Sequence, residues 1–243
     1  MHSENNSKIL ITGVGSGLGK HIHEKIPNSV GMNRDNCIDI LRSVRYEGVD
    51  TIIHCACNKS RDEYYELYND NLKLTEELCD IPHKNFVFAS SVDVHSDTDN
   101  IYNMMKRISE DIIKKRSNKF LILRLSALLG KHMKKNNIVK AVCDEFPILS
   151  LTRDSTYSLI SYEHVLKIIV ESLKRDIFGT YDVVAKKEIS MNDIVNYCGK
   201  AQTTKFGQYK YLTKKIDGGK IEEKLGLIQS DSQQVLESFI NEL

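Results

Sequence analysis

The sequence predicts an α/β fold, a doubly wound parallel sheet. Two observations predict it: short apolar runs alternate with amphipathic stretches over the first 130 residues, and the first run turns through closely spaced glycines directly into a helix. With 243 residues, 41% of them hydrophobic, the chain can bury a substantial core, either as one large domain or as a domain with a small cap. Residues 1–130 read as the core, and 131–243 as a mixed part that completes it within one compact unit.

The first strand is expected near 8–12, Lys8-Ile-Leu-Ile-Thr12. It leads through Gly13-Val14-Gly15-Ser16-Gly17-Leu18-Gly19 into a helix near 17–26 whose Leu18, Ile22 and Ile26 share one face. Glycines let the backbone approach a pyrophosphate closely, and a helix N-terminus offers unpaired N–H groups and a positive dipole end. Between a strand and an amphipathic helix, this segment therefore reads as the dinucleotide-binding turn of a Rossmann-type sheet. Further strands are expected near 28–32, 49–56, 85–91 and 119–125, with helices near 62–79 and 101–117. Ligand is expected at the C-terminal ends of the strands. In the helix 101–117, Ile101, Met105, Ile108 and Ile112 are expected to form the packing face, with Tyr102 and Lys106 on the neighbouring flank. Beyond Gly130 the pattern becomes irregular, then resumes with helices near 162–174, 190–199 and 231–241. The chain has three prolines, no internal repeat and no low-complexity tract, which argues against a flexible hinge between independent domains.

Chemistry is expected where the run Phe86-Val-Phe-Ala-Ser90-Ser91 meets the helix that follows. Tyr102 and Lys106 stand four apart and share a helix face, so the ammonium can hold the phenol near a proton-transfer pKa. Tyr102 is expected to act as general acid/base, and Lys106 to lower its pKa. Ser91 is expected to donate a hydrogen bond to a carbonyl or alcohol oxygen.

These residues together resemble the short-chain dehydrogenase/reductase superfamily, and within it the extended, sugar-nucleotide-modifying branch. The resemblance spans most of the chain. Ile52-Ile-His54-Cys55-Ala56-Cys57 is similar to the family's strand-four segment, Asn71-Leu-Lys-Leu-Thr75 to the helix in which the family carries an Asn, and Leu123-Arg124 to Gly130 to a segment only the extended branch carries. Two departures stand out. The glycines at 13, 17 and 19 follow the compact branch's spacing, and the interval from Ser91 to Tyr102 is short for the extended branch. The stretch from Asn33 to Asp50 leaves no room for the compact branch's additional helix and matches the layout of dTDP-4-dehydrorhamnose reductases and GDP-fucose synthases. The resemblance implies that the C-terminal part forms a substrate cap. It also implies a homodimer built on helices 62–79 and 101–117. Apolar and aromatic residues around more than one face of the first helix (Tyr64, Tyr65, Leu67, Tyr68, Leu72 and Leu74) agree with a buried partner surface.

Cofactor selectivity is expected after the second strand. An Asp or Glu there accepts from a ribose 2′-OH in NAD, whereas an Arg accommodates the 2′-phosphate of NADP. Asn33-Arg34 favours NADP, and Asp35 keeps NAD open. The resemblance places Asp39 and Ile40 along the adenine, and Gly13, Ser16, Gly17, Leu18, Cys55, Ala56 and Cys57 beside the cofactor with Tyr102 and Lys106.

The rest of the composition excludes other classes. Thirty-four basic against 33 acidic residues, a net charge of +1, offers no electrostatic reason to invoke nucleic acid. The six cysteines form no Cys-x-x-Cys pairs, and no signal peptide or membrane-length apolar span is read, so reduced thiols in a cytoplasmic protein are expected. No metal is expected: in a continuous strand His54 would face away from Cys55 and Cys57, and His21 and His23 have no partner at useful spacing. The expected activity is NAD(P)-dependent oxidation or reduction of a nucleotide-activated sugar, with a 4-keto-sugar reductase leading. A 4-epimerase or 4,6-dehydratase that retains NAD, and a non-catalytic NAD(P) sensor of the same fold, are the alternatives. In the dehydratases a Glu lies two positions after the catalytic hydroxyl; Asp93 stands there, and reads first as a strand-end Asp. His95 takes the place of a frequent family Tyr, lining the substrate mouth or covering the loop.

Overall fold

The computed structural model describes residues 8–58, 64–96, 100–212 and 216–243. In chain order the elements are β1 (Ile9–Thr12), α1 (Gly17–Lys25), β2 (Val30–Met32), α2 (Cys37–Glu47), β3 (Val49–His54), α3 (Tyr64–Leu67), a π-helical turn (Tyr68–Lys73), α4 (Leu74–Cys79), β4 (His83–Ser91), a 3₁₀ turn (Val92–His95), α5 (Ile101–Arg116) and β5 (Phe120–Leu125). There follow β6 (Ala127–Leu129), α6 (Asn137–Cys143), β7 (Thr156–Tyr157), β8 (Leu159–Ser161), α7 (Tyr162–Lys174), β9 (Gly179–Val183), β10 (Ile189–Ser190), α8 (Met191–Tyr197), α9 (Lys220–Leu225) and α10 (Ser232–Asn241). They divide into two compact units, Met1–Arg124 with Ile169–Tyr181, and Leu125–Ile168 with Asp182–Leu243.

The six-stranded sheet runs in the order β2-β1-β3-β4-β5-β9, and β1 pairs in parallel with both β2 and β3, as does β3 with β4. Strand order reverses between β1 and β3, so the ends of these two strands flank the crevice in which open α/β sheets hold their ligands. Leu10, Ile11, Ile52 and Ile53 are all fully buried, as expected for parallel strands covered on both faces. One core gathers Leu10, Met32, Ile52, Phe86, Phe88 and Ile122. The fold is thus the Rossmann-type sheet the sequence predicts.

Three local features depart from the sequence reading. Between β2 and β3 lies α2, whose Cys37, Ile40, Leu41 and Val44 turn to the core at helical spacing. The helix expected over 62–79 is interrupted by the π turn; residues 62 and 63 lie outside the described residues, as does the Tyr64 side chain. In α5, Ile101 and Ile108 are each 38% exposed, whereas Met105, Lys106, Ser109, Glu110 and Ile113 are buried. Lys106 and Glu110 find hydrogen-bond partners on β4 and β5, which turns the two isoleucines outward. Met105 packs with Leu67 and Leu72 of the segment 64–73.

The second unit has its own core, from Leu129, Ile138, Leu149, Leu159, Met191, Ile194, Leu236 and Phe239. Two small sheets frame it, β6 parallel to β8 and β7 antiparallel to β10. A reciprocal cap between Ser190 and Asp193 starts α8.

Candidate active site

The site grows from the turn after β1. Gly13 has φ +78°, and a Cβ there would lie 2.8 Å from the Ala56 nitrogen. At Gly19 a Cβ would meet the Gly13 carbonyl oxygen at 2.6 Å. These two glycines allow the turn to sit against β3 and the helix to sit against β1. At Gly15, by contrast, a Cβ would have nothing within 4 Å. Ser16 is the N-cap of α1 but makes no side-chain cap bond, so the first-turn N–H groups of Gly17 and Leu18 are left for ligand or water. Open space at Gly15 beside an uncapped helix start suits a pyrophosphate.

Beneath the turn lies a buried hydrogen-bond chain. Thr12 Oγ1 accepts from the main-chain N–H of Cys55 (3.2 Å) and Ala56 (3.0 Å), so its proton goes to His54 Nδ1, 2.7 Å away. His54 is thereby the Nε2–H tautomer and donates to Thr75 Oγ1 at 3.1 Å; Thr75 in turn donates to the Asn71 carbonyl at 2.6 Å. Burial, helped by the charge of Lys106, pushes the His54 pKa down to about 3, so the ring is neutral at ordinary pH. The chain ties the glycine turn to the π turn. It also ends β3 at His54, because Cys55 and Ala56 give their N–H groups to Thr12. Strand alternation therefore does not extend to Cys57, and His54 and Cys57 line the same cleft. Burial raises the Cys55 thiol to about 12, which makes it inert.

That cleft, about 230 Å³ counting its open mouth, is lined by Ala56, Cys57, Phe88, Tyr102, Lys106 and Ser109 together with the His54–Thr75–Asn71 chain. Lys106 is 6% exposed and donates to the Ala89 carbonyl at 2.8 Å. Its ammonium lies 4.5 Å from the Phe88 ring centre and 6.0 Å from that of Tyr102. The structure thus brings Tyr102, Lys106, Ala56 and Cys57 together. Ser91, buried at the end of β4, accepts from the Asp93 N–H at 3.2 Å and so caps the 3₁₀ turn, keeping its own proton to donate. His95 Nε2 lies 3.5 Å from an Arg124 nitrogen.

The remaining expected residues lie at the ends of β1 and β2. Asn33 folds onto its own turn, accepting from the N–H of Asp35 (2.9 Å) and Asn36 (3.2 Å). Arg34 reaches Asp70 at 2.5 Å. Asp35 and Asp39 are exposed, Asp39 in the first turn of α2, while Ile40 packs on the core.

Sequence reasoning did not single out Glu110, one turn beyond Lys106. It is 2% exposed, accepts from Ser90 Oγ at 2.7 Å, and takes Arg124 Nε at 3.0 Å and a terminal Arg124 nitrogen at 2.7 Å. Burial acts to raise its pKa, but the bonds from Arg124 and Ser90 and the charges of Arg124 and Lys114 outweigh it and hold the carboxyl below its ordinary value. The available signal was a third polar residue in the stripe Tyr102, Lys106, Glu110. Among the described residues no group of three His, Cys, Asp or Glu could hold a metal, and no helix is long and apolar enough to cross a membrane. His23 donates to Ser29 Oγ at 2.8 Å, since the Ser29 proton goes to the Ile26 carbonyl.

Solved structures of similar fold cover nearly the whole chain. The dTDP-4-dehydrorhamnose reductase of Bacillus anthracis, in complex with NADP, matches with a TM-score of 0.78 at 19% identity, over 98% of this chain and 99% of its own. The UDP-glucuronic acid 4-epimerase of Bacillus cereus, in complex with UDP-glucuronic acid and NAD, matches with a TM-score of 0.78 at 16% identity, over 96% and 98%. This chain has their fold. A third, the UDP-N-acetylglucosamine 4-epimerase of Bacillus cereus, matches with a TM-score of 0.75 at 19% identity, over 98% and 96%. No protein-family model matches the chain, and no curated protein does.

Proposed function

We propose that the protein is an NAD(P)-dependent oxidoreductase acting on a nucleotide-activated sugar, with reduction of a 4-keto-sugar as its reaction. The observation that carries the reading is one cleft in which Tyr102 and Lys106 stand beside Ala56, the residue that packs on Gly13 of the dinucleotide turn. The ligands held by similar folds, NADP in the reductase and NAD with a UDP-sugar in the epimerase, support the same chemistry. When bound, the nicotinamide supplies the hydride. Gly13, Ser16, Gly17 and Leu18 would hold the pyrophosphate, with Asn33, Arg34, Asp39 and Ile40 toward the adenosine end and Cys55, Ala56 and Cys57 toward the nicotinamide.

In this reading Tyr102 gives its phenolic proton to the developing alkoxide, and the buried Lys106 ammonium favours the phenolate left behind. Ser91 donates to the same oxygen; its acceptor side is already engaged by the Asp93 N–H. A 4-epimerase that retains NAD is the second reading, favoured by the two epimerase folds above. We propose in addition a homodimer. Ile101, Met104 and Ile108, between 37% and 38% exposed, form an outward stripe on α5, and Tyr65 and Tyr68 are also exposed. The balanced charge gives no electrostatic reason to invoke nucleic acid, and a cytoplasmic location is proposed with the rest of this reading.

The test is Tyr102→Phe, assayed by NADPH oxidation with a dTDP-4-keto-sugar and by NADPH titration. Turnover is expected to fall by roughly 10²–10⁴ with dinucleotide affinity kept, because only the transferable proton is lost. Turnover near wild type would remove the catalytic assignment. Tightly retained NAD in the purified protein, identified by mass, together with no net redox change would favour the epimerase.

A further inference from the structure

Arg34, after β2, and Asn58, after β3, converge on one carboxylate. Asp70, in the π turn, accepts from Arg34 at 2.5 Å and from Asn58 Nδ2 at 2.9 Å, both on Oδ2. The next residue, Asn71, grips the Asn58 main chain in both senses, its Oδ1 accepting from the Asn58 N–H at 2.9 Å and its Nδ2 donating to the Asn58 carbonyl at 3.1 Å. Asn71 is 8% exposed, and its own carbonyl is fixed by Thr75. The two partners of the ion pair are therefore unequal. The Arg34 side chain is 75% exposed and projects from a turn, whereas the Asp70 side chain is 34% exposed and is held by the same loop that Asn71 clamps.

We propose that Asp70 sets the dinucleotide selectivity of this site, acting against the 2′-phosphate by neutralising Arg34. The inference rests on the reading of the β2 end as the place where the ribose 2′ substituent is recognised. A guanidinium has further N–H donors for a phosphate. A phosphate bound to Arg34, however, brings its negative charge within a few ångströms of the Asp70 carboxylate. The attraction of Arg34 is then opposed by a fixed like charge, and a neutral 2′-hydroxyl meets no such opposition. The protein accordingly holds NADPH and NADH with similar affinity despite carrying an arginine where a strict NADP enzyme would use it.

The experiment is calorimetric titration of the whole protein with NADPH and with NADH, for wild type, Asp70→Asn, Asp70→Glu, Arg34→Ala and the double variant Asp70→Asn with Arg34→Ala. Asp70→Asn is expected to raise the ratio of NADPH to NADH affinity by roughly tenfold, and less at high salt. Asp70→Glu keeps the charge and should leave the ratio near wild type, separating charge from packing damage. Arg34→Ala should lower the ratio, and in that background Asp70→Asn should change it by less than about threefold. An unchanged or lowered ratio in Asp70→Asn overturns the proposal, as does an undiminished gain when Arg34 is absent. Failure of wild type to bind either dinucleotide removes the cofactor reading itself, whereas binding of both with an Asp70-independent ratio removes only this inference.

Discussion

Replacing Glu110 by Gln takes one negative charge from beneath the site with almost no change of shape. Glu110 is 2% exposed, and its carboxylate accepts from Ser90, from two Arg124 nitrogens and from Lys114 at 3.3 Å. Hydrogen bonds to charged groups contribute about 1.5–3 kcal/mol each, and breaking a buried pair costs about 3–5 kcal/mol. Gln keeps one acceptor, and the Arg124 side chain, 21% exposed, regains some water, so the expected loss is about 2–3 kcal/mol at neutral pH. Urea denaturation followed by circular dichroism measures it. The pH dependence supplies an independent check. Because the folded carboxyl sits below its ordinary value, its stabilisation is complete above the unfolded glutamate pKa of about 4.3 and is lost as pH falls through the lower folded value. The stability gap between wild type and Glu110→Gln should therefore be constant near neutrality and narrow below about pH 4. A gap under about 0.5 kcal/mol at neutral pH, or one that does not narrow in acid, would refute the view that this network holds β4, α5 and β5 together.

Two further expectations concern the turn and the assembly. Gly13→Ala should lose at least about 2 kcal/mol in thermal denaturation, since φ +78° is strained for alanine and its Cβ would strike the Ala56 backbone. Gly15→Ala, opening on empty space, should stay within about 0.5 kcal/mol of wild type while weakening dinucleotide binding; intact affinity would separate Gly15 from the pyrophosphate site. Light scattering at micromolar concentration should give twice the 27.8 kDa chain mass for wild type, and one chain mass for Met104→Asp; one chain mass for wild type removes the dimer.

Sequence alone determined what depends on neighbours along the chain. The glycine turn between β1 and α1 was legible because strand, turn and helix signals lie within one short segment. The alternation that builds the parallel sheet was legible because β1, β3, β4 and β5 are apolar runs that only a two-sided core accommodates. The common face of Tyr102 and Lys106 followed from helical spacing. Tertiary structure decided what those local signals meet. Periodicity alone put Ile101 and Ile108 inward; partners distant in sequence, Ala89, Ser90 and Arg124, decided instead that Lys106 and Glu110 face the sheet. The ring of His54 lines the cleft with Cys57 because Thr12, 42 positions away, ends the strand by taking the next two N–H groups. Arg34 is expected from sequence to favour a 2′-phosphate, but its pairing with Asp70 arises only when a π turn brings a carboxylate between two loops. Propensity and periodicity act over a few residues, whereas a buried charge is placed by whatever satisfies it, and those partners come together only in the folded chain.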